Sequence, residues 1–165
     1  MGADAYWIEG PWPGRVAIVP RPRGGDWLEN EVRAWLKNGF DEVVSLLTPN
    51  EVAEFALDQE EKWCKAYGIR FRSFPIPDRG VPVSTDGFSR LVQDLEKAMS
   101  AGKKVALHCR QGIGRSSLVA AALLLSAGIA QEIAWESVRR ARGCPVPDTI
   151  EQRNWVKGFA QAHQT

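Results

Sequence analysis

Cysteine and histidine are scarce in this 165-residue chain, which has three of the first, Cys64, Cys109 and Cys144, and two of the second, His108 and His163. Ligands so few and so scattered exclude a disulfide framework and a paired zinc site, so no metal and no other cofactor is expected, and a reducing cytoplasm is the simplest home. A long apolar run is missing from the first twenty residues, which hold Asp4, Pro11 and Pro13, so neither a signal peptide nor a membrane anchor is expected. An excess of one charge is missing too. Against 21 Lys and Arg stand 20 Asp and Glu, a net charge of +1 that gives no general attraction to nucleic acid or to acidic membranes. Any preference for anions must be local. Repeats and low-complexity tracts are absent. What remains is ordinary globular composition, 44% hydrophobic and 25% charged, at a length that suits one domain over residues 1–165 and, by expectation, a monomer.

Periodicity places the elements. Tyr6 to Ile8 and Val16 to Val19 read as opening strands across a Gly/Pro turn. Asp26 and Glu29 have capping-box spacing before a helix whose inward face is Leu28, Val32, Trp35 and Leu36 and which stops at Gly39. Val43 to Leu47 is a buried strand, Glu51 to Tyr67 one helix with Val52, Phe55, Ala56 and Trp63 inward, and Ile69 to Ile76 an aromatic-rich strand. Ser84, Thr85 and Asp86 open an amphipathic helix carrying Phe88, Leu91, Val92, Leu95 and Met99. Lys104 to His108 is a strand, followed by helices over Arg115 to Ala127, Ala130 to Arg142, and Thr149 to about His163. Alternating strands and helices predict an α/β fold with a central, mostly parallel sheet covered by helices on both faces, and a site at the carboxyl ends of the strands.

Cys109 falls at such an end, in the run His108-Cys109-Arg110-Gln111-Gly112-Ile113-Gly114-Arg115-Ser116. Gly112 and Gly114 let the turn from strand to helix curl until successive backbone N–H groups converge, and the helix that starts near Arg115 aims its positive end at the same point. The result is an anion cradle with a cysteine at its centre, where a helix N-terminus and a guanidinium favour the thiolate. An arginine at a helix start opposes the helix dipole, an arrangement that a bound dianion would repair. Its planar fork can grip two phosphoryl oxygens.

These residues resemble the signature loop, His-Cys-x5-Arg-Ser, of the cysteine-dependent protein tyrosine and dual-specificity phosphatases, most closely the compact kinase-associated and atypical dual-specificity members. Ile76-Pro77-Asp78-Arg79-Gly80-Val81-Pro82 is similar to that family's general-acid loop, and Thr149-Ile150-Glu151-Gln152 to the loop that supplies a water-positioning glutamine. The order of elements fits over a core of about 27–160, with the N-terminal strands of 6–20 in front of it. The resemblance implies a phosphate-monoester hydrolase acting through phosphocysteine: Cys109 as nucleophile, Asp78 as acid and then base, Arg115 and the loop from Arg110 through Gln111, Gly112, Ile113 and Gly114 holding the phosphate, and Gln152 orienting water. It implies a phosphorylated protein as substrate, on phosphotyrosine and on phosphoserine or phosphothreonine. Relatives of the same fold acting on phosphoinositides or RNA 5′-triphosphate ends supply the alternative. Ile113 and Gly114 put no lysine in the second half of the loop for lipid phosphates, whereas Arg110 keeps that option.

Several residues carry a plainer reading beside this one. Pro-Asp-x-Gly is a common turn, Asp86 is the competing carboxylate but fits helix capping, and Thr149-x-x-Gln152 is a capping box in its own right. Ser116 either ends a loop or donates a hydrogen bond to the departing thiolate. His108 is expected behind the loop, orienting it by hydrogen bonding to backbone. Arg110 and Gln111 are expected to point outward and tune substrate choice, while Arg21, Arg23 and Arg79 are solvated or add positive rim charge. Cys64 and Cys144 are inert thiols unless the fold brings one near Cys109. Three rivals stand against catalysis of this kind: a phosphate-binding module without turnover, a sulfurtransferase, and a dinucleotide-binding domain, for which Ser117 stands where a third glycine is needed.

Overall fold

Short apolar strands alternating with amphipathic helices bury both faces of a sheet, and the computed structural model, which describes residues 4–162, realises that layering. Strands β1 (Tyr6–Ile8) and β2 (Arg15–Ile18) pair antiparallel, with Trp7 opposite Ala17. Strands β3 (Glu42–Ser45), β4 (Arg70–Ser73) and β5 (Lys104–His108) run parallel to β2, in the order β1-β2-β5-β3-β4. Helices α4 (Thr85–Ser100), α5 (Arg115–Ser126), α6 (Gln131–Arg142) and α7 (Ile150–Ala162) cover one face, over Val16, Ile18, Val44, Val105 and Leu107. Helices α1 (Leu28–Lys37) and α3 (Glu60–Ala66) cover the other, over Ala17, Val43 and Ala106. The α/β fold with a mostly parallel sheet and helices on both faces is the one expected. Helix α5 is apolar almost all round because α4, α6 and α7 pack about it.

Two local expectations are corrected. The single helix over 51–67 is two, α2 (Pro49–Glu54) and α3, because Ala56 turns left-handed at φ 54° and Leu57 drops into the core at 2% exposure. Burying a leucine is worth about 1.5–3 kcal/mol, enough to offset the ~1–2 kcal/mol of one alanine in the left-handed region. The same break exposes the Ala56 carbonyl to the Gly25 N–H, at 2.9 Å. The expected capping box at Asp26 does not form either. A 3-10 turn over Gly25–Trp27 leads into α1 without a side-chain cap, and Glu29 accepts a hydrogen bond from the Tyr67 hydroxyl instead, at 2.6 Å. The expected end of the last helix near His163 lies outside the described residues. Among those described, no helix is long and apolar enough to cross a membrane.

Candidate active site

Because β2, β3, β4 and β5 run the same way, their carboxyl ends deliver four loops to one edge of the sheet. The loop after β5 brings Cys109, and there the chain curls tightly enough for the Gly112 N–H to reach back to Cys109 Sγ at 3.3 Å. Gly112 adopts φ 71°, a conformation that costs glycine little. A cleft of about 110 Å³ opens over the loop, lined by Cys109, Arg110, Arg115, Asp78 and Asp148 among others. Arg110, Gln111, Gly114 and Arg115 of the expected phosphate-holding set line this cleft; Gly112 and Ile113 do not, and Ile113 packs against the core. A larger cleft of about 620 Å³ among Asp58, Lys62, Lys65 and Arg70 is lined by no cysteine.

Arg115 is the first residue of α5 and its side chain is 2% exposed. A buried guanidinium needs acceptors on its donors. Nη1 donates to Glu51 Oε1 at 2.7 Å and to the Ile76 carbonyl at 2.9 Å, while Nη2 donates to Glu51 Oε2 at 2.9 Å and to Asp78 Oδ1 at 3.2 Å. Glu51 thus grips the far edge of the fork. The side edge, Nε with Nη2, has only the half-exposed Asp78 on it among the described residues. Burial opposes the Arg115 charge, but the Glu51 hydrogen bonds and the charges of Cys109, Glu51 and Asp78 outweigh it and raise the arginine above its ordinary value.

Glu51 was not among the residues expected here, and Thr48-Pro49-Asn50-Glu51 was its signal. Thr48 Oγ1 accepts from the Glu51 N–H at 3.3 Å and Glu51 Oε1 from the Thr48 N–H at 3.0 Å, a capping box with proline at the helix start. Burial pushes the Glu51 carboxyl up, yet hydrogen bonds from Arg115 and Thr48 and the Arg115 charge bring it from 4.5 down to about 2. A folded value below the unfolded one gives stability that is complete above the unfolded value and lost as pH falls through the folded one. The stability difference between wild type and Glu51→Gln, read from urea midpoints, should be greatest near neutral pH and shrink as pH falls from 4.5 toward about 2. A difference independent of pH would contradict the pairing.

Asp78 is where the sequence puts it, facing Cys109 across the cleft, whereas Asp86 lies in the first turn of α4 behind its Ser84 cap. Gln152 is fully buried, with its amide taken up: Oε1 accepts from the Asp148 and Thr149 N–H groups at 3.0 and 3.2 Å, and Nε2 donates to the Gly80 carbonyl at 3.0 Å. It ties α7 to the loop that carries Asp78. Ser116 Oγ is buried without a partner among the described residues. His108 departs from expectation. Its Nε2 pairs with Glu60 Oε2 at 2.6 Å rather than with backbone, its ring stacks near Trp35, and Nδ1 has no partner among the described residues. Burial of an imidazole beside a helix leaves a carboxylate as the partner at hand. Two arginines brace the loop from outside. Arg142 donates to the Gly112 and Gln111 carbonyls at 2.9 and 3.1 Å, and Arg21 to the Arg110 carbonyl at 3.1 Å, so loop carbonyls are held outward. Arg142 reads in the sequence as last-turn helix charge, which hides this use. Arg110 itself turns outward onto Glu54, at 3.2 and 2.9 Å.

A cysteine in a curled loop ahead of a helix, with a buried arginine and an aspartate across a small cleft, coincides with a known family pattern. Residues 38–158 match the model of the dual specificity phosphatase catalytic domain. The chain belongs to the dual-specificity phosphatase family. Cyclin-dependent kinase inhibitor 3 of Rattus norvegicus is 30% identical over 134 residues, covering 80% of this chain and 63% of that protein. This chain therefore spans less than two thirds of that relative's length. Among solved structures, kinase-associated phosphatase with its catalytic-site cysteine replaced by serine superposes with a TM-score of 0.86 at 22% identity, covering 98% of this chain and 96% of the other. Tk-PTP in its active form gives 0.75 at 33% identity, covering 95% and 96%.

Proposed function

We propose that this dual-specificity phosphatase domain hydrolyses phosphate monoesters on a phosphorylated protein, through a phosphocysteine at Cys109. The observation that carries it is the division of the Arg115 fork. Glu51 holds one edge, and the other is turned toward the Cys109 cleft, ready for two phosphoryl oxygens once Asp78 yields its place on Nη2. A substrate dianion entering there displaces the Asp78 carboxylate from Arg115, and Asp78 takes up a proton from solvent through the open cleft. Cys109 thiolate then forms the sulfur–phosphorus bond as the phosphorus–oxygen bond to the alcohol or phenol breaks, and the Asp78 proton passes to that leaving oxygen. Arg115 and the loop amides hold the three equatorial oxygens throughout, which is the main service a protein gives to phosphoryl transfer. Water next attacks phosphorus, and Ser116, whose hydroxyl has no other use among the described residues, donates to the departing thiolate. Gln152 acts by fixing the Gly80 end of the acid loop.

The match to the dual specificity phosphatase model favours a protein bearing phosphotyrosine and phosphoserine or phosphothreonine. We take the enzyme to be a monomer that works in the cytoplasm, where its three free thiols stay reduced. Asp78→Asn tests the acid. It should slow single-turnover phosphorylation of Cys109 by phenyl phosphate about 10²-fold or more, and by aryl phosphates with highly acidic phenols far less, since those leave unaided. Equal slowing across the series would reduce Asp78 to a turn former, and selective slowing in Asp86→Asn would move the acid there.

A further inference from the structure

The cleft holds a second carboxylate whose position has no use in the first chemical step. Asp148 lies just before α7, and its Oδ2 rests against the loop so closely that a Cβ on Gly114 would lie 2.2 Å from it. It lines the same cleft as Cys109, Asp78 and Arg115. Its backbone N–H is held by Gln152 Oε1 at 3.0 Å, but its carboxylate has no hydrogen-bond or ion-pair partner among the described residues. Gln152 spends both ends of its amide on backbone and has none left for water. Asp78 rests on Arg115 Nη2 until substrate displaces it, and its service is then to the leaving group of the first step.

We propose that Asp148 is the base that activates water for hydrolysis of the phosphocysteine, with Gln152 as the positioning residue that holds it over the loop. The inference rests on the phosphocysteine reading above. In the step, the water oxygen bonds to phosphorus, the sulfur–phosphorus bond breaks with its electron pair returning to Cys109 as thiolate, and the water proton passes to the Asp148 carboxylate. Inorganic phosphate leaves, and Asp148 then loses the proton to solvent through the open cleft. Asp78 and Asp148 thus divide the proton transfers of the two half-reactions, one for the leaving group and one for water. Gly114 is required because any side chain at that position would push the Asp148 carboxylate off the loop.

Rapid-quench kinetics on Asp148→Asn, with p-nitrophenyl phosphate and phenyl phosphate, separates the half-reactions. Asparagine has the same shape, and an unchanged phosphorylation rate shows that the variant is folded. Phosphorylation of Cys109 should match wild type within about threefold on both substrates, while phosphocysteine hydrolysis falls about 10²-fold or more, so that a burst of p-nitrophenol precedes a slow steady state. Asp148→Glu, which restores a carboxylate, should recover most of the lost rate. Hydrolysis at the wild-type rate in Asp148→Asn overturns the assignment. So does slowed phosphorylation confined to phenyl phosphate, because Asp148 would then be the acid of the first step. If wild type forms no phosphocysteine, it is the underlying reading that fails, which these outcomes keep distinct.

Discussion

Cys109→Ser is expected to lose hydrolysis of p-nitrophenyl phosphate by at least about 10⁴-fold, the scale on which removing a covalent nucleophile acts in other enzymes. A serine hydroxyl is a far weaker acid and a poorer nucleophile than a cysteine thiol. The cradle itself should survive. Gly112 and Gly114 keep their conformations, the outward carbonyls keep Arg21 and Arg142, and Arg115 keeps Glu51. The variant should therefore still bind a phosphotyrosine peptide, measurable by calorimetry, while turning it over at the background rate. Activity near that of wild type would remove the covalent step.

Arg115→Lys should lose about 10²-fold or more in kcat/KM even though the charge is kept, the range seen when one transition-state donor is removed. The wild-type side chain makes hydrogen bonds in two directions from a rigid plane, to Glu51 on one edge and toward the cleft on the other. One ammonium cannot serve both. It should fall to the Glu51 carboxylates, leaving the phosphoryl oxygens without paired contacts and Glu51 buried against a poorer partner. A steady-state comparison of kcat and KM checks this. A loss under about tenfold, roughly 1.4 kcal/mol, would take Arg115 out of transition-state binding.

Much of this was legible in the sequence because the signals were local. A strand, two glycines and an arginine at fixed spacing specify a curled loop, and period-3.6 and alternating patterns specify the helices and strands that carry it. Cys109 and Arg115 come together for that reason, whereas Asp78, which reads locally as a turn former, joins them in the cleft where only the family resemblance placed it. The rest is set by partners distant in the chain. Glu51 meets Arg115 across 64 residues, Glu60 meets His108 across 48 and Arg142 meets Gly112 across 30, pairings that no short-range pattern encodes. The break at Ala56 was hidden for a like reason, since the burial of Leu57 decides it and the helical period of the surrounding residues runs straight through. Asp148 was passed over because it sits in a Pro-rich stretch where an aspartate reads as a turn or cap.

The central claim is that phosphate passes through Cys109, and acid quenching during turnover of a protein substrate labelled on phosphotyrosine, followed by peptide mass spectrometry, tests it directly. The account predicts a phosphorylated peptide containing Cys109 that forms within milliseconds to seconds and decays at least as fast as kcat, lost in Cys109→Ser and prolonged in Asp148→Asn. Phosphate found on another residue, or no covalent phosphate in wild type at concentrations where every enzyme molecule turns over, would contradict it.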